Sequence, residues 1–148
     1  MSALADRLLS PENRPRLVEG CATLVETEVQ AKKGLSGIAV KGAFAIVTKL
    51  KPGIIPDAID RLLDDFVEEL APFYDEYQAS ETQDFASYLN ANPTLVADKL
   101  LGVTDRRIQR VDKAPIKKAY QKLRPSGERY VAAAVPGLAR VIEPHLKD

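Results

Sequence analysis

The chain has 148 residues, 21 basic and 21 acidic side chains, and one cysteine, Cys21. A domain of that size hides about 68–70% of the surface its unfolded form exposes, so no staple is required. The lone cysteine excludes an internal disulfide framework, and zero net charge argues against a surface that is basic throughout. We expect a single helical domain over 1–148 in the reducing cytoplasm. The opening MSALADRLLSPENRPRL carries Asp6, Arg7 and Glu12 where a secretory signal has a longer apolar run.

Zero net charge conceals a segregation. Residues 1–53 hold 8 basic and 5 acidic groups, residues 54–98 hold 1 and 11, and residues 99–148 hold 12 and 5. Such blocks attract each other within one molecule or across a homo-oligomer, or face separate protein partners.

Ser2 predicts an N-cap for a short helix, ALADRLL, closed by Ser10-Pro11. A second helix is expected from Pro15, a favourable first-turn residue, to Gly34 as C-cap. Its apolar stripe is Leu17, Val18, Cys21, Leu24, Val25 and Val29. Cys21 reads as a small buried hydrophobe, since no histidine lies near it in sequence. The stretch GLSGIAVKGAFAIVTKL, residues 34–50, is apolar on nearly every helical face. It is expected at the centre of the fold, with Phe44 and Ile46 deep inside and Lys41 reaching solvent on its aliphatic stem or pairing with an acidic side chain. Leu35 to Val47 is thirteen residues interrupted by Lys41. A membrane span takes about 20, so none is expected.

After the turn Lys51-Pro52-Gly53, a long helix is expected from Pro56 and Asp57, with Ile59, Leu62, Leu63, Phe66, Val67 and Leu70 as its stripe. Asp57, Asp60, Asp64 and Glu68 recur every three or four residues and form an acidic ribbon. Pro72 should kink or end this helix. Ser80 with Gln83 is a capping-box pattern for a short helix through Tyr88 and Leu89. Asn92-Pro93 starts a helix that should stop at Gly102, after which Thr104 caps a basic helix. A second basic helix follows Pro115 and should break at Arg124-Pro125-Ser126-Gly127, and Pro136 should kink or open the last one. No strand or hairpin pattern competes, and no repeat is visible.

Motifs for chemistry are few. The sequence has no Glu-x-x-His, and its one histidine, His145, lies three residues from the end. That leaves no support for a metal, and a Ser-His nucleophile is equally unsupported. Gly34, Gly37 and Gly42 match neither dinucleotide nor P-loop spacing, so no cofactor is expected.

The fold class is therefore all-α, a compact bundle of about six to eight helices around the apolar helix 34–50. The chain has the look of the short helical proteins found in bacterial genomes. Its expected role is non-enzymatic, an interaction or structural protein with a homo-oligomeric or protein partner. One alternative is binding of a hydrophobic small molecule or acyl chain in a groove beside Phe44, Phe66, Phe73 and Tyr77. Another is nucleic-acid binding through the basic helices 104–124. There Arg106, Arg107, Arg110, Lys117 and Lys118 form the candidate surface, disfavoured because the acidic ribbon offers them partners.

Overall fold

A computed structural model describes residues 2–146, the side chain of Ser36 excepted. Among the described residues there are seven α-helices and no strand: α1 (Ala3–Leu8), α2 (Arg14–Ala31), α3 (Gly34–Leu50), α4 (Ile54–Gln78), α5 (Phe85–Asn90), α6 (Pro93–Ile108) and α7 (Ala114–Ile142). A 3₁₀ turn, Glu143–Leu146, follows α7 directly. The fold class is all-α, a multi-helix bundle.

Local chemistry explains the ends. The Ser2 hydroxyl accepts from the Ala5 amide at 3.0 Å and caps α1. Asp84 caps α5 by accepting from the Ser87 amide at 2.7 Å, in place of the expected Ser80. The Ser80 hydroxyl is engaged in its own turn, donating to the Tyr77 carbonyl and accepting from the Thr82 amide. Gly34, expected as the C-cap of α2, instead opens α3 while Lys32 caps α2, and its φ of 72° is a left-handed conformation that strains any other side chain. A Cβ at Gly37 would lie 2.6 Å from the Lys32 carbonyl oxygen, so only glycine lets the first turn of α3 close onto the end of α2.

The core centres on α4 and the C-terminal half of α7. Leu4 and Leu8 of α1, Leu63, Val67 and Leu70 of α4, Phe85 and Leu89 of α5, and Val135, Ala139 and Ile142 of α7 are buried together. Tyr74 meets Phe85 edge to face at 5.1 Å, a geometry that aromatic quadrupoles favour. Arg7 donates to the Leu146 carbonyl at 3.1 Å and ties α1 to the closing turn. The Glu143 carboxylate accepts from the Ala86 amide at 3.1 Å, fixing the same turn to the start of α5.

The expected central helix is not central. Residues 34–50 form α3, which lies on the outside, packed against α7, α2 and α4. Its inner side supplies Val40 and Ala43, whereas Leu35 is 88% exposed, Ile38 71%, Ile46 53% and Leu50 47%. Phe44 is half-buried, not deep, and Lys41 reaches solvent. An all-round apolar helix gives no direction to its burial, and α4, with a sharper stripe and 25 residues, takes the centre.

Four positions expected to end or kink a helix do not end one. α4 continues through Pro72, α6 through Gly102, and α7 through Pro125 and Pro136. Pro72, Pro125 and Pro136 all lie on exposed faces, where water can satisfy the carbonyl one turn earlier that each proline leaves without a donor. Thr104, expected as a cap, sits inside α6 and donates to the Leu101 carbonyl at 3.0 Å.

Candidate ligand cavity

The stripes that build the bundle do not fill it. A cavity of about 330 Å³ lies between α2, α4, α6 and α7, with α1 and α3 closing parts of its wall. From α2 it is faced by Leu17, Cys21, Leu24, Val25 and Val29, at helical spacing along one side. From α4 come Ile59, Leu63, Phe66, Val67 and Leu70, and from α7 Val131, Ala134, Leu138 and Ile142. Leu100, Leu101 and Thr104 of α6, Leu8 of α1 and Val40 of α3 complete the wall.

α2 and α7 run antiparallel: Gly20 approaches Val141, whereas Lys32 approaches Tyr130. The lining from Leu17 to Val29 covers about 18 Å of helix axis, and that from Tyr130 to Ile142 covers about the same. The cavity is therefore elongated along both helices. One end is closed by Leu8, Leu17 and Ile142, each at most 2% exposed. The other carries its polar groups: Glu28 and Lys32 pair at 3.6 Å, and the Lys32 ammonium stands 5.3 Å from the centroid of the Tyr130 ring. Midway, burial in this apolar wall pushes the Cys21 thiol up to about 11, so it stays protonated at neutral pH.

This geometry rearranges the expected groove. Phe66 lines the cavity. Phe44 instead borders a separate, more polar cleft between α2 and the α3–α4 turn, with Glu19, Glu26 and Thr48. Phe73 is buried in the main core, and Tyr77 stacks in an aromatic cluster, 5.7 Å from Phe85 and 6.4 Å from Tyr88. The four residues share no groove. The sequence reading missed Glu28, Lys32, Tyr130 and Ala134, because a stripe that lines a void has the same periodicity as one that fills it.

The charge blocks are also partnered differently from expectation. Arg14 binds the acidic ribbon: its Nε donates to Asp60 at 2.9 Å, Nη1 to Asp64 at 3.0 Å and Nη2 to the Asp60 carbonyl at 2.7 Å. Asp57 pairs with Lys51 at 2.9 Å and Arg61 at 3.5 Å, and the Lys51 hydrogen bond holds its carboxyl below the usual range. Arg106 reaches Glu69 at 3.5 Å, beside the ribbon and not on it. Glu68, Arg107, Arg110, Lys117 and Lys118 have no ion-pair partner among the described residues. Pairs between blocks, from Arg14, Lys51 and Arg106 to acids of residues 54–98, stand beside pairs within a block. Arg124, for instance, pairs with Asp105 through a forked contact of 2.8 and 3.0 Å, and Tyr120 donates to the same carboxylate while contacting Thr104 at 2.7 Å.

Among the described residues no group of His, Cys, Asp or Glu side chains is placed to hold a metal, and no helix is long and apolar enough to cross a membrane. The wall carries one thiol, Cys21, and its charged groups, Glu28 and Lys32, are paired with each other. Neither the curated proteins nor the solved structures contain a match to the chain. One family model matches residues 4–146, nearly all of the helical bundle, and the chain belongs to that family, described as a family of unknown function (DUF6918).

Proposed function

We propose that this protein is a non-enzymatic binder of one hydrophobic chain of the acyl type, held between α2, α4 and α7 in the cytoplasm. The observation that carries the reading is the volume of about 330 Å³ behind an almost wholly apolar wall. Ligand sites occupy about 300–1,000 Å³ and are mostly apolar with a few polar groups that set orientation. The hollow is partly open to solvent, so an apolar occupant takes its wall out of water. The elongated shape and the almost wholly apolar wall suit a flexible hydrocarbon, with the paired Glu28 and Lys32 at one end.

The test is displacement of a fluorescent fatty acid, cis-parinaric acid, together with native mass spectrometry of protein purified from its host. Saturable binding at one site is expected in the wild type. Ala134→Phe, which places a ring in the cavity, should abolish it while circular dichroism shows the helices intact. Wild type that binds no probe and carries no retained lipid, or an Ala134→Phe variant that binds as well as wild type, overturns the reading.

A further inference from the structure

The outer face of α3 is apolar and uncovered, and the charges that the helix itself carries are all positive. Leu35, Ile38, Ile46 and Leu50 are exposed on it, and Val40 and Ala43 face inward. At 100° per residue the four exposed side chains fall within one arc of about 120°, which also holds Lys49, and Val40 and Ala43 lie beyond its edge. From residue 29 to residue 56 there are five lysines and no aspartate or glutamate, in a chain whose charges otherwise balance. Lys33, Lys41 and Lys49 are exposed and have no ion-pair partner among the described residues.

We propose that α3 is an interfacial helix that lays this face on an anionic lipid surface. An apolar face with lysines around it is what partitions into the headgroup region, the side chains entering the acyl boundary and the ammonium groups meeting lipid phosphates. The helix lies in the plane of the surface, since among the described residues no helix is long and apolar enough to span. Charge selects the lipid surface over other occupants. A second copy would set like charges opposite one another if α3 met α3, and the acidic ribbon that could attract α3 is held in large part by Arg14, Lys51 and Arg61. The proposal goes beyond the cavity reading and does not depend on it. Both meet at α3, whose Val40 lines the cavity on the inner side.

Flotation with extruded vesicles tests it, comparing phosphatidylcholine alone with phosphatidylcholine containing phosphatidylglycerol at low and high salt. Wild type should float with the anionic vesicles, and salt should release it. A Leu35→Glu, Ile38→Glu, Ile46→Glu variant should lose at least about tenfold in partitioning, as should a Lys33→Glu, Lys41→Glu, Lys49→Glu variant. All six positions are exposed, so both variants are expected to keep wild-type circular dichroism. The cavity variant Ala134→Phe should float like wild type, which separates this proposal from ligand binding. No flotation of wild type, flotation equal on neutral vesicles, or flotation unchanged in the triple variants overturns the proposal. So does a wild-type dimer in sedimentation that the Leu35, Ile38, Ile46 variant dissolves, without vesicle binding.

Discussion

Lys32 holds its ammonium 5.3 Å from the centre of the Tyr130 ring and 3.6 Å from the Glu28 carboxylate, at one end of an apolar cavity. A cation over an aromatic face next to a single carboxylate is a balanced arrangement that a ligand head can tip. If an acyl carboxylate enters, Lys32 attracts it and Glu28 opposes it. Lys32→Met, which keeps the stem, should weaken fatty-acid binding about tenfold, whereas Glu28→Gln should strengthen it. The matching fatty alcohol should respond to neither change. Titration calorimetry on the two variants measures this.

The thiol of Cys21 reports on the same space. Burial raises it to about 11, so the reactive thiolate is scarce at neutral pH. Reaction with a disulfide reagent should be slower than for the unfolded chain at the same pH. Addition of a fatty acid should slow it further, and a rate unaffected by ligand would place the ligand outside the cavity.

Stability should follow burial and not hydropathy. Phe85, 1% exposed, is expected to cost about 3–5 kcal/mol when cut to alanine, the range for buried aromatics. Ile46→Ala, at 53% exposure, should stay within about 0.5 kcal/mol of wild type. Urea melts of the two variants decide between this order and the reverse.

The junction of α6 and α7 should be sensitive to pH at both extremes. Burial, with the Asp105 hydrogen bond second, pushes Tyr120 up to about 12 from 10.0, so its contribution is complete below pH 10 and is lost as pH rises towards 12. The Arg124 hydrogen bond lowers Asp105 from 3.8, so its contribution is present above that value and is lost as pH falls through the depressed one. Tyr120→Phe should cost about 0.5–1.5 kcal/mol near neutrality and flatten the alkaline limb. Denaturant midpoints across pH, beside absorbance titration of the tyrosines, check both limbs.

Local and periodic properties were legible in the sequence. Ser2 capping α1, the stripes of α2 and α4 and the all-helical class follow from side chains a few residues apart, whose interactions are fixed once a helix forms. The helices run on through Pro72, Pro125 and Pro136 because a proline ends a helix only when its missing donor cannot be compensated, and the solvent-facing positions of the three are set by what packs on the opposite side. The site was illegible for a related reason. Phe44, Phe66, Phe73 and Tyr77 are similar side chains on two helices, and only the crossing of α2, α4 and α7 decides that Phe66 borders a void while Phe73 is enclosed.

Hydropathy by itself established that residues 34–50 form an apolar helix too short to span a bilayer. Where that helix lies was a tertiary decision. Burial free energy scales with the area actually covered, and the protein covers one side of α3 with α7, α2 and α4 while the side bearing Leu35, Ile38, Ile46 and Leu50 is left outside.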